Sequence, residues 1–165
     1  MEEKNSAMTL EEQIVSLLQE KNFHISFAES CTGGLCSARL VSVASASAVF
    51  DAGVVTYANE AKIKYLGVKS ETIERYGVVS EPVAGQMAEG VAKAQNAEVG
   101  VGVSGIAGPT GGTATKPVGT VCFGFYVDGE VTTVTKQFGD LGRNVVREAA
   151  TEFVFEMLAE LLQDK

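Results

Sequence analysis

Three short segments hold residue types suited to acyl-transfer chemistry. They are Ala28-Glu29-Ser30-Cys31-Thr32-Gly33-Gly34, Tyr57-Ala58-Asn59-Glu60-Ala61-Lys62 and Ser104-Gly105-Ile106-Ala107-Gly108-Pro109-Thr110-Gly111-Gly112. Each is too glycine-rich or too polar to be explained by packing alone. Ser30 offers a hydroxyl nucleophile, which needs a base within reach. The single histidine, His24, sits at the far end of the strand leading to Ser30, roughly 20 Å away along extended chain. A Ser–His pair is therefore rejected, and Lys62 becomes the candidate base. A lysine amine can accept a proton near neutrality only if burial or a neighbouring cation lowers its pKa. Tyr57 is placed to donate or relay a proton. Cys31 is the rival nucleophile, because a thiol near a helix N-terminus has a lowered pKa. Adjacent loop residues point in different directions, so only one of the two faces a substrate.

The first segment leads directly into an expected helix. Backbone N–H groups of Thr32, Gly33 and Gly34 would stand at its positive end and hold a phosphate or an oxyanion. The same residues also fit a plain turn with Ser30 or Thr32 as N-cap. Lys62 taken alone fits a solvated helix residue, and Tyr57 an ordinary strand aromatic. The third segment has glycines at 105, 108, 111 and 112 with no Lys-Ser or Lys-Thr pair behind them, so it is not a P-loop. A connection this long in a compact domain is usually functional. It is expected to act as a lid or ligand cradle. Gly105 and Gly108 are alternative oxyanion donors, Thr110 and Lys116 are candidate phosphate contacts, and Arg147 is a weaker one.

These segments must be positioned by regular elements. Thr9-Leu10-Glu11-Glu12 is a capping box, and Leu10, Ile14, Leu17 and Leu18 follow at helical spacing, predicting a helix over 9–21. A strand over 24–28, a helix over 34–43 and a strand over 49–57 come next. Short helices are expected over 59–66, ending at Gly67, and from a Ser70 cap to Arg75. Ser80-Glu81-Pro82 starts a longer one. A strand at 98–104 precedes the glycine-rich stretch 105–119. Strands at 120–127 and 131–138 flank Asp128-Gly129, a strong hairpin signal. A long helix over 143–162 closes the chain. Early alternation with a late hairpin predicts an α/β fold, a three-layer α/β/α sandwich with a mixed β-sheet. If the early strands are parallel neighbours, all three segments meet at one sheet edge, where such domains bind ligands.

The 165 residues make one domain, 1–165, with about 1–8 and 163–165 expected to be flexible. A net charge of −8 without basic runs argues against nucleic acid as a partner. Cys31, Cys36 and Cys122 match no zinc spacing, and with one histidine no metal site is expected. No secretory signal or membrane span is seen, and reduced thiols fit a cytoplasmic setting.

AESCTGG (28–34), VTYANEAK (55–62), GVVSEPVA (77–84), SGIAGPTGG (104–112) and KPVGTV (116–121) closely resemble the C-terminal domain of the competence/damage-inducible protein CinA. That family includes stand-alone nicotinamide mononucleotide (NMN) deamidases. The resemblance runs in order from about Leu10 to Leu162. It implies the same three-layer fold and hydrolysis of the NMN carboxamide to nicotinic acid mononucleotide and ammonia, without a cofactor. It implies a catalytic serine in the first motif and a catalytic Tyr and Lys in the second, here Ser30, Tyr57 and Lys62. The longer CinA proteins carry a further N-terminal domain, and none is expected in these residues. The family usually has a Pro-Gly-Ser-Ser-like turn before the second strand. Here Ala44-Ser45-Ala46-Ser47 leads to Phe50, and the retained Ser47 joins the expected substrate contacts. A homodimer is also expected. A non-catalytic nucleotide-binding module linked to competence, or a serine amidase on another small amide, are the alternative readings.

Overall fold

The computed structural model describes residues 7–165. The Thr9 capping box forms as expected and starts α1 (Leu10–Lys21), which ends at Asn22 in a left-handed conformation. β1 (Ile25–Glu29) is buried along its whole length. After it come α2 (Leu35–Val41), a short 3-10 turn at Ala46–Ala48, β2 (Phe50–Val55), α3 (Asn59–Leu66) and α4 (Ser70–Tyr76). Ser70 is the first residue of α4 rather than its cap, a place taken by Lys69. Then follow α5 (Glu81–Gln95), β3 (Val99–Gly105), β4 (Thr120–Val127), β5 (Glu130–Gln137) and α6 (Arg143–Gln163). Asp128 and Gly129 both take positive φ, 48° and 91°, as a tight hairpin turn requires.

The strands form one mixed sheet in the order β2-β1-β3-β4-β5. β1 is parallel to both β2 and β3, whereas β4 runs antiparallel to β3 and β5 antiparallel to β4. The first three strands therefore end at the same edge. On one face α1, α2 and α6 enclose a core that includes Ile14, Leu18, Phe27, Phe123, Phe155 and Leu158. On the other, α3, α4 and α5 bury Leu66, Val83, Met87 and Val91 against Ala28. The sandwich has the predicted three layers. At the chain end, where flexibility is expected over 163–165, Lys165 pairs with Glu130 and its carbonyl oxygen accepts from Lys21. The N-terminal part of that expectation, apart from residues 7 and 8, falls outside the described residues.

α5 lies unusually close to the sheet because the strands beneath it present glycines. A Cβ on Gly102 would stand 2.3 Å from the Ala84 carbonyl oxygen, and one on Gly124 would stand 2.2 Å from the same atom. No real Cβ tolerates such an approach, so a side chain there must push backbone against backbone. Gly102→Ala is accordingly expected to cost about 1–3 kcal/mol. The measurement is the urea unfolding midpoint at unchanged m-value, and a wild-type midpoint would show that α5 has room to move.

Candidate functional site

Alternation along β1 separates two jobs. Ile25 and Phe27 face α2 and α6, whereas Ala28 faces α5. Glu29 continues the first series and meets α2, and Ser30 continues the second and meets α3. The Ser30 N–H donates to Val103 O at 3.0 Å, extending the ladder with β3 by one residue. Gly33 N–H then donates to Ser30 O at 3.0 Å, closing a turn. Gly33 and Gly34 take φ of 58° and 105°. Right-handed helix cannot pass through such residues, so α2 begins at Leu35 rather than at Gly34.

Lys62 projects from α3 to the same place. Its Nζ lies 3.1 Å from Ser30 Oγ, 2.7 Å from Thr56 O and 3.1 Å from Tyr57 O. Lys62 is 1% exposed and Ser30 is 9% exposed. Burial pushes the Lys62 pKa below its ordinary 10.5, and proximity to Cys31 opposes this weakly. The two carbonyl oxygens can only accept hydrogen bonds. A neutral amine has two hydrogens and one lone pair. If the hydrogens go to the carbonyls, the lone pair is left facing the Ser30 hydroxyl. The arrangement thus suits removal of the serine proton.

Tyr57 joins the pair through its main chain. Its side chain is 60% exposed, and its phenol oxygen accepts from Arg143 Nη2 at 2.8 Å. Arg143 Nη1 also donates to Gly108 O at 2.8 Å, so one guanidinium bridges the second and third segments. Arg147, one turn further along α6, grips the first segment. Its Nε donates to Cys31 O at 2.9 Å and its Nη2 to Thr32 O at 3.1 Å. A trans peptide points its C=O and N–H in opposite directions. Holding Cys31 O therefore turns the Thr32 N–H away from α6.

Cys31 faces the core. Its Sγ would lie 3.0 Å from a Cβ on Gly105, and burial pushes the thiol up to about 11. That opposes the lowered pKa expected of a rival nucleophile. The helix start differs from expectation as well. The Thr32 hydroxyl and the N–H groups of Cys36 and Ser37 all donate to the carboxylate of Glu29. The positive end of α2 thus holds the protein's own anion, not an open phosphate site. The N–H groups of Thr32 and Gly34 find no acceptor among the described residues.

The remaining expected contacts are scattered. Gly105 ends β3, where a Cβ would strike Val121 at 2.7 Å. Lys116 Nζ donates to Tyr76 O at 2.5 Å, tying the third segment to the end of α4. Thr110 is exposed in a cleft of about 750 Å³ with Pro109, Gly111, Pro117, Phe138 and Asp140, which includes none of Ser30, Tyr57 or Lys62. Ser47 does not reach the pair. It precedes Phe50, which is in register with Ile25, so it lies at the amino-terminal edge of the parallel strands, opposite Ser30. His24 is at that edge too, paired with Asp51 at 2.7 Å. No group of three metal-ligating side chains occurs among the described residues, and no described helix is long and apolar enough to cross a membrane.

Sequence reasoning gave Glu29 and Arg143 no role and Arg147 a different one. A signal existed for the arginines: α6 opens on Arg143 with no acid in its first turn, against the helix dipole. Cations so placed are held there by something else.

Fold and site define an α/β/α domain with a buried serine–lysine pair at the carboxyl edge of its parallel strands. The CinA C-terminal domain family matches residues 7–162, and the chain belongs to that family. A CinA-like protein of Kosmotoga olearia is 47% identical over 154 residues, 93% of this chain and 37% of that protein. The chain spans little more than a third of the length of such curated relatives. Among solved structures, the competence/damage inducible protein CihA of Agrobacterium tumefaciens is 41% identical with a TM-score of 0.87, over 94% of this chain and 98% of that one. A CinA superfamily protein of Klebsiella pneumoniae is 33% identical with a TM-score of 0.90, over 94% and 97%.

All three thiols are buried, and desolvation raises the pKa of each. An aromatic disulfide reagent at pH 8 should find three thiols in denaturant and react only slowly in the native protein. Rapid native reaction at Cys31 would return it to contention as the nucleophile.

Proposed function

We propose that this chain hydrolyses the carboxamide of NMN, giving nicotinic acid mononucleotide and ammonia, with Ser30 as nucleophile and Lys62 as base. The observation that carries this reading is the water-poor contact of 3.1 Å between Lys62 Nζ and Ser30 Oγ. Membership of the CinA C-terminal domain family supports the substrate. Neutral Lys62 takes the Ser30 proton as Oγ attacks the carboxamide carbon. The oxyanion is stabilised by the unoccupied N–H group of Gly34, which is partly exposed. The C–N bond then breaks, and Lys62 returns the proton to the departing ammonia. Tyr57 assists, because its phenol oxygen accepts from Arg143 and its own O–H stays free to donate. Water adds to the acyl-enzyme with Lys62 again as base, and Ser30 leaves with its proton restored. With Glu29 filling the start of α2, the phosphate is assigned to the third segment, where Thr110 is exposed.

Ammonia release from NMN is the direct test. Ser30→Ala and Lys62→Ala should each lower kcat by about 10³-fold or more, whereas Cys31→Ala should stay close to wild type. Full activity in Ser30→Ala would sink the mechanism. NMN binding without ammonia release in the wild type would assign a regulatory module instead.

The active form is the neutral amine, so the rate should rise with pH through the Lys62 pKa. Because burial lowers that pKa, the midpoint should fall below 10.5. A rate already at plateau throughout pH 5 to 10, followed as ammonia release, would exclude Lys62 as the base.

A further inference from the structure

We propose that Glu29 is a positioning residue that holds Ser30 and Lys62 in register with each other, an inference that rests on the acyl-transfer reading of Ser30. Glu29 is fully buried. Its carboxylate accepts four hydrogen bonds: Thr32 Oγ1 at 2.7 Å, Cys36 N–H at 2.9 Å, Ser37 N–H at 3.1 Å and Ser37 Oγ at 2.8 Å. These bonds tie the outgoing strand to the returning helix, and so fix both ends of the turn that carries Ser30. The Glu29 main chain serves the other partner. Its carbonyl accepts from Thr56 N–H at 3.0 Å, and Thr56 O in turn accepts from Lys62 Nζ at 2.7 Å. One residue therefore anchors the nucleophile's loop through its side chain and the base's carbonyl cradle through its backbone. It touches neither Ser30 Oγ nor Lys62 Nζ.

The carboxylate chemistry is specific. Four donors converge on Glu29, and an ionised carboxylate is acceptor-only, with room for all four. A glutamine keeps the shape but turns an NH₂ group toward donors, leaving some buried and unpaired. The turn must then shift. The Glu29 carboxylate, not a ligand, is thus the partner of the α2 N–H groups, which leaves the Gly34 N–H for the oxyanion.

The test uses two readouts on the full chain. Phosphonylation of Ser30 by a biotinylated alkyl fluorophosphonate probe, with loss of fluoride and followed by intact mass, reports nucleophile geometry without NMN. Ammonia release from NMN gives kcat and KM. Glu29→Gln is expected to slow both phosphonylation and kcat by about 10- to 100-fold, with KM within about threefold and an unmoved pH midpoint. Phosphonylation at the wild-type rate in folded Glu29→Gln would overturn the proposal. So would a rate regained at higher pH, which would make Glu29 a tuner of Lys62. If Glu29→Gln does not fold, Thr32→Val removes one of the four donors at nearly constant volume. It should slow phosphonylation by about tenfold, and an unchanged rate overturns the proposal equally. A wild type that phosphonylates but ignores NMN would sink the deamidase reading, while the phosphonylation rates of the variants would still decide the role of Glu29.

Discussion

Lys62 has exchanged its water shell for three protein oxygens, and the geometry around it follows from that exchange. Burying an ammonium is costly unless it is paired or loses its proton. Among the described residues no carboxylate reaches Lys62: its hydrogen-bond partners are Ser30 Oγ and two main-chain carbonyls. Carbonyl oxygens do not favour an ammonium as an anion would, so the neutral form is favoured. Glu29, the acid next to Ser30 in sequence, is kept on the opposite face of β1. Had it lain beside Lys62, an ion pair would have raised the amine's pKa and removed its use as a base.

The outer shell holds main-chain direction rather than side-chain charge. Arg147 bonds two carbonyls of the Ser30 turn, Arg143 bonds Gly108 O, and Lys116 bonds Tyr76 O. The two arginines come from the first turns of α6 and the lysine from the stretch before β4, and each fixes a peptide plane. In a loop where Gly33 and Gly34 permit several conformations, such contacts select one. The glycines allow a close approach to Ser30, and the arginine limits the freedom they bring.

Much of this frame was legible in the sequence because its signals are local. The Thr9 capping box, the Ser80-Glu81-Pro82 start and the Asp128-Gly129 turn all act within a few residues, and each forms as read. Ser30 and Lys62 could be singled out because each follows a strand in a segment too polar for the core. What escaped notice depended on distance or on facing. Arg147 reaches Thr32 across 115 positions, and no periodicity encodes that. Glu29 was hidden by its neighbours, since a carboxylate beside a nucleophile and a helix start reads as solvated until the strand's facing is known. Ser47 was placed by resemblance alone, and chain direction takes it to the edge opposite the Ser30–Lys62 pair.

One irregularity shows how narrowly the site is set. Ile25 pairs with Phe50, but Ser26 pairs with Ala52, so Asp51 is an extra residue in β2. Such a bulge shifts everything downstream by one position, and in a strand one position exchanges the two faces. With an unbroken register Glu29 would lie opposite Val54. With the bulge it lies opposite Val55, and the next residue, Thr56, gives its N–H to Glu29 O. Thr56 O then stands where Lys62 can donate to it. Asp51, displaced from the ladder, turns to His24 at the other edge of the sheet. The pairing of the lone histidine, far from any nucleophile, and the cradle of the lysine that replaces it as base follow from the same single-residue offset.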